Sequence, residues 1–196
     1  MLVVDNGSGV YWSGAVQCPD LELAFSHRQA KAFFGNRDII TLTRNQKAQS
    51  NMQDLPHHYH ASAYASADSH VAVNACDLPE IITAAPVEFG GPGDKWSPEH
   101  LLVGTVANCF ILTFRAIARN SKLEWTHLEC SPVGTLERVD RVTRFTHFKI
   151  SVTLTVPAGT DIEKAERLLR RAETGCLVSQ SLLAETELET EIIASA

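Results

Sequence analysis

What this chain lacks narrows its class before any residue is considered singly. It has no surplus of positive charge: 17 Lys and Arg stand against 23 Asp and Glu in 196 residues, a formal net charge of −6. Binding to a phosphate backbone depends on a basic surplus, so no nucleic-acid partner is expected. Long apolar runs are also missing. The longest, Leu101 to Phe114, is interrupted by Gly104, Thr105, Asn108 and Thr113, which predicts neither a bilayer span nor a membrane partner. The start, Met-Leu-Val-Val-Asp, shows no basic region ahead of an apolar core. No secretory signal is expected there, and the expected location is cytoplasmic. Cysteine is sparse and odd in number, with Cys18, Cys76, Cys109, Cys130 and Cys176 forming no CxxC pair. A disulfide scaffold is excluded, no metal or thioredoxin-type pattern is present, and the default for each thiol is a small buried hydrophobe.

What is present is the composition of an ordinary globular domain, 44% hydrophobic and 20% charged. Residues 1–56 are charge-balanced, so the whole negative excess falls in residues 57–196. The first part carries only fragments of pattern: a short helix over Ser26 to Phe34 and a short strand over Asp38 to Thr43. Arg44 to Pro56 is polar, nearly free of apolar side chains and ends in proline. Such a stretch cannot bury enough surface to offset chain entropy and is expected to be a linker. Residues 1–56 are therefore expected to be an extension with no assignable task, and 57–196 the functional domain.

From His57 onward the pattern predicts short strands over Tyr59 to Ala67, Val71 to Cys76 and Ile81 to Phe89, then a flexible loop at Gly90-Gly91-Pro92-Gly93. Ser97-Pro98-Glu99 combines an N-cap serine, a first-turn proline and a first-turn carboxylate, which predicts a helix start. The helix is expected to reach about Asn120, with Leu102, Val106, Cys109, Thr113 and Ala116 on its inner face. Because the neighbouring positions are also apolar, it is expected to be central and buried. Phe148, Ile150, Val152, Leu154 and Val156 alternate with Lys149, Ser151, Thr153 and Thr155, the period of a strand with one covered face. Thr135 to Val142 is expected to pair with it. Thr160 and Glu163 suggest a capping box ahead of a helix with Ile162, Ala165, Leu168, Leu169 and Ala172 inward, stopped by Gly175. A short helix over Cys176 to Glu185 and a strand over Leu188 to Ile193 complete an α+β class.

Two cysteines have distinctive placement. Cys109 lies in the middle of the predicted central helix, where a packed core thiol is the ordinary role. Cys176 follows the helix-stopping glycine, where free backbone N–H groups at the next helix start would favour a thiolate. Spacing alone does not bring the two together.

The string Gly90-Gly91, Ser97-Pro98-Glu99-His100-Leu101-Leu102 and then Cys109 resembles the signature of the OsmC/Ohr family. Ala172-Glu173-Thr174-Gly175-Cys176-Leu177-Val178-Ser179, 67 residues further on, resembles that family's second-cysteine motif. The resemblance covers residues 57–196 and implies the OsmC-like α+β fold. That fold has antiparallel or mixed sheets, a long central cysteine-bearing helix and a C-terminal helix pair, in an intertwined homodimer. It implies a thiol-dependent peroxidase active in oxidative-stress defence, reducing organic hydroperoxides without metal, haem, flavin or other cofactor. In that reading the catalytic residues are Cys109 (peroxidatic), Cys176 (resolving) and Glu99. An external dithiol, of lipoyl type, resets the pair.

The resemblance also implies an arginine that lowers the thiol pKa and pairs with the glutamate. Between Asp38 and Arg115 the chain has only Arg44, in the expected linker. A carboxylate beside a thiol without a compensating cation raises the thiol pKa. A rival reading therefore stands: an OsmC-like homodimer that binds a ligand or senses redox state, with the cysteines as core packing. The cluster His57, His58 and His60, and the group Arg138, Arg141 and Arg144, are read as solvent-facing.

Overall fold

The computed structural model describes residues 54–195. The helix and strand expected between Ser26 and Thr43 lie outside them, as does most of the expected linker. The chain divides into two compact units, Met1–Ile82 and Thr83–Ala196.

In the described part of the first unit, β1 (Ser62–Tyr64) pairs antiparallel with β2 (Val71–Asn74), and β3 (Ile81–Thr83) completes a sheet of order β1-β2-β3. The Tyr64 hydroxyl donates to Glu80 at 2.7 Å. His57, His58 and His60 are exposed, as expected. Cys76 departs from the default of a buried free thiol, being disulfide-bonded. All three strands are shorter than their sequence pattern. The third ends at Thr83 instead of Phe89 because Pro86 offers no backbone N–H and Val87–Phe89 winds into a 3-10 turn. That turn closes on Gly90 in the left-handed region (φ 79°), and the Gly91 N–H then donates to the Pro86 carbonyl at 2.9 Å. A Cβ at Gly91 would lie 1.6 Å from the Ala85 carbonyl oxygen, so only glycine fits.

The second unit is built on β4 (His127–Val139), β5 (Val142–Pro157) and β6 (Glu185–Ser195), with α1 (Pro98–Asn120), α2 (Ile162–Gly175) and α3 (Leu177–Gln180). The α+β class and the OsmC-like arrangement of mixed sheet, long helix and C-terminal helix pair are as the sequence led us to expect. Central β5 runs antiparallel to β4 and parallel to β6. Parallel neighbours need a crossover, which α2 and α3 supply. The alternation in β5 does what its period predicts: Phe148, Ile150, Val152, Leu154 and Val156 are all buried. Each such aliphatic side chain contributes about 1.5–3 kcal/mol when fully removed from water.

The β4–β5 hairpin is longer than predicted. Its tip is Asp140-Arg141, both at positive φ (51° and 69°), a two-residue turn whose twist suits the strands. Aspartate tolerates that conformation, but nothing in the sequence marks Arg141 as a turn residue. Arg138, Arg141 and Arg144 are exposed around this tip. At the start of α2, Asp161 and not Thr160 is the cap, its carboxylate accepting the Lys164 N–H at 2.9 Å. The Thr160 hydroxyl donates instead to the Pro157 carbonyl at 2.7 Å. Ala165, Leu168, Leu169 and Ala172 are buried as expected, whereas Ile162 is exposed in the first turn.

The long helix α1 begins as read: Ser97 Oγ accepts the His100 N–H at 3.2 Å, and Pro98 opens the helix. Its covered face differs from expectation. The buried row is Val106, Phe110, Phe114 and Ala118, spaced by four. Cys109, Thr113 and Ala116 are only half-buried, and Leu112 is 51% exposed. The helix is thus covered on one side, not all round. Over its full 23 residues it is long and apolar enough to cross a membrane by length and composition, a test that the core helix of a globular domain also passes. In this fold its buried row packs into the same core as β5 and α2.

Candidate functional site

Cys109 stands at the middle of α1, and Cys176 is both the C-cap of α2 and the N-cap of α3. Local sequence fixes the second position. The apolar row of α2 is pinned to the sheet, and Gly175 ends the helix without a side chain, leaving Thr113 Cγ2 3.5 Å from where a Cβ would stand. The chain then turns at once into α3, with Cys176 fully buried.

The fold brings these two thiols, 67 positions apart, into one site, where the Cys176 thiol favours the ionised form of Cys109. The backbone N–H groups of Val178 and Leu177 also donate to Cys109, and the Thr113 hydroxyl lies 4.0 Å from its sulfur. Burial pushes the Cys109 thiol up, but these donors outweigh it and hold its pKa below the ordinary thiol value. Cys176 moves the other way. Burial raises it, the Ser179 hydroxyl and N–H oppose that, and the neighbouring Cys109 adds to the rise. A third thiol, Cys130 on β4, is pushed up to about 12 by burial and by the nearby Cys176.

The sequence reading expected free backbone N–H groups at the start of the short helix to favour a thiolate at Cys176. In the structure they act elsewhere. The N–H groups of Leu177 and Val178 point at the cysteine on α1, not at the one that precedes them in the chain. Glu99 is not brought to this pair. It lies ten residues before Cys109 on the same helix, about 15 Å along the axis, and does not act on the Cys109 thiol. The expected rise of that thiol from an adjacent carboxylate therefore does not occur within the chain. One Glu99 carboxylate oxygen is buried with no hydrogen-bond partner.

Three contributors were not assigned a role from sequence. Backbone N–H groups carry no residue signature, so Leu177 and Val178 gave none. Cys130 was one thiol among five. Thr113 stood in the right register, one turn beyond Cys109, where i and i+4 side chains meet. The arrangement suits nucleophilic sulfur chemistry: one thiol favoured as thiolate, and a second, protonated thiol in contact with it.

Comparison with known proteins gives the family. Residues 91–191 match the family model described as OsmC-like protein. The chain belongs to the OsmC-like family. It is 33% identical over 111 residues, 54% of this chain and 73% of the relative, to the uncharacterized protein YmaD of Bacillus subtilis strain 168. Among solved structures, an OsmC-like protein of unknown function from Vibrio cholerae aligns with a TM-score of 0.63 at 18% identity, over 70% of this chain and 100% of that one. An organic hydroperoxide resistance protein from Elizabethkingia anophelis gives 0.59 at 16% identity, covering 73% and 100%. The organic hydroperoxide resistance protein OhrB of Bacillus subtilis gives 0.52 at 18%, covering 69% and 98%. At these identities the likeness is one of fold.

Proposed function

We propose that this protein is a thiol peroxidase that reduces organic hydroperoxides in defence against oxidative stress. The observation that carries the reading is the contact between a thiol of lowered pKa, Cys109, and a protonated thiol, Cys176. The Cys109 thiolate attacks the terminal peroxide oxygen, the O–O bond breaks, and the alkoxide leaves as an alcohol after taking a proton. Cys109 is then a sulfenic acid. The Cys176 sulfur attacks it, expelling water and forming the Cys109–Cys176 disulfide. An external dithiol of lipoyl type restores both thiols by exchange and is itself oxidised. No metal or other cofactor enters these steps.

The reading includes a homodimer formed through the uncovered apolar side of α1, where Leu112 is 51% exposed. Glu99 belongs to the site only in that assembly. Its unpartnered carboxylate oxygen supports a role across the subunit contact.

Incubation with cumene hydroperoxide and dihydrolipoamide, followed by peroxide assay and intact mass, tests the proposal. Rapid consumption is expected, lost in Cys109→Ser. Without reductant, a product two hydrogens lighter is expected, lost in Cys176→Ser. Slow turnover with full disulfide formation indicates a redox sensor, and no response in either channel leaves a binding module.

A further inference from the structure

Helical threonines usually turn their hydroxyl back to the carbonyl four residues earlier. Two in this chain do so: Thr105 donates to the Leu101 carbonyl at 2.6 Å, and Thr174 to the Arg170 carbonyl at 3.3 Å. Thr113 on α1 behaves differently. Its hydroxyl faces the Cys109 sulfur at 4.0 Å, not the Cys109 carbonyl. Its methyl group faces Gly175, where an added Cβ would meet Thr113 Cγ2 at 3.5 Å. The side chain is thus set between the two segments that carry the thiol pair, methyl toward the α2 terminus and hydroxyl toward the nucleophile.

We propose that Thr113 is a positioning residue of the thiol site: its hydroxyl donates to the Cys109 thiolate. The proposal deepens the peroxidase reading by naming a further residue that governs the same sulfur, but its test does not depend on peroxide chemistry. A hydroxyl is the right donor here. It rotates to meet a thiolate, adds no charge, and needs no second partner. Hydrogen bonds to an ionised acceptor are stronger than neutral ones, so most of the effect falls on the thiolate and little on the thiol. The titratable group acting on Cys109 among the described residues is Cys176, at the α2–α3 junction, which also acts on Cys130 of β4. No carboxylate or guanidinium from α1, α2, α3 or β4 figures among the groups acting on that sulfur. Neutral donors therefore do the work a cation would otherwise do, and Thr113 is the one of them that a side-chain substitution removes without touching the thiol pair.

The experiment is the pH dependence of Cys109 alkylation by iodoacetamide in the reduced full chain, with the modified peptide identified by mass. In Thr113→Val the midpoint is expected to move up by about half a unit to one unit, with alkylation at pH 7 slower by about three- to tenfold. Thr113→Ser, which keeps the hydroxyl, is expected to stay within about twofold of wild type. If Thr113→Val does not fold, Thr113→Ala gives the same reading, because it also lacks the donor. A Val or Ala profile that overlays wild type overturns the proposal. So does a Ser profile shifted as far as Val, since packing alone would then explain the effect. If the wild type fails to consume hydroperoxide while Thr113→Val still shifts the midpoint, the peroxidase reading falls and the role of Thr113 stands.

Discussion

The two sides of the thiol cluster offer an instructive contrast. On the α1 side, Cys109 is half-buried and surrounded by donors: two backbone N–H groups, a hydroxyl and a thiol. On the sheet side, Cys176 and Cys130 meet mainly apolar surroundings, and both are pushed toward the protonated form. The residues are chemically identical and lie within one site, yet they titrate in opposite directions. Burial acts on all three with the same sign. What separates them is whether donors outweigh burial: four groups do so at Cys109, whereas at Cys176 the Ser179 hydroxyl and N–H oppose the rise without cancelling it. A peroxidase needs this asymmetry, because the attacking sulfur must be ionised while the resolving one waits.

The largest effect expected from disturbing that contrast is at Cys176. Cys176→Ser leaves Cys109 with its amide and hydroxyl donors but without the thiol proposed to resolve it. One equivalent of cumene hydroperoxide should be consumed quickly and turnover should then stop. Intact mass should show a chain one oxygen heavier that dimedone traps as a sulfenic acid. Undiminished turnover would show that Cys176 does not resolve the oxidised enzyme.

A smaller effect is expected from Cys130. Its thiol titrates near 8.5 when unfolded and at about 12 in the fold. Between those values the unfolded chain has released the proton while the native state still holds it, so stability falls as pH rises through that window and is unaffected below it. Urea unfolding at pH 7.5 and 10.5 should show wild type losing about 1–2 kcal/mol more than Cys130→Ala over that interval, a figure reduced for partial exposure. Equal losses would mean that the sheet-side thiol is not held protonated.

The smallest expected effect concerns the donor side. Leu177 is the first residue of α3, where proline is tolerated, and Cys176 before it has an extended backbone (φ −70°, ψ 109°) that accepts a following proline. Leu177→Pro therefore deletes one N–H donor to Cys109 with little cost to the fold. The midpoint of Cys109 alkylation should rise by a few tenths of a unit, with about a twofold slower rate at pH 7. An unchanged midpoint would remove this amide from the set that lowers the thiol.

Much of this was legible from residues alone, for a reason that differs by element. The alternation in β5, the Ser97-Pro98-Glu99 start of α1 and the apolar row of α2 are local patterns read against local geometry, and each appears in the structure near its expected place. The failures have two causes. The hairpin tip at Asp140-Arg141 and the cap at Asp161 are local choices between adjacent residues, whereas the covered row of α1 depends on which elements the helix meets, and no sequence window contains them. Glu99 is a different case: its position in the first turn was correct, and its distance from Cys109 was already implied by ten positions along one helix.

The sequence by itself determined the class of the fold, the register of its central strand and of α2, and the two cysteines on which a function could rest. Those features are written in periodicity and in residue types with fixed backbone preferences. Only the tertiary structure decided which thiol is the acid. That depends on backbone N–H groups, present at every non-proline residue and thus silent in a sequence, and on the crossover that aims two of them at a sulfur far away in the chain.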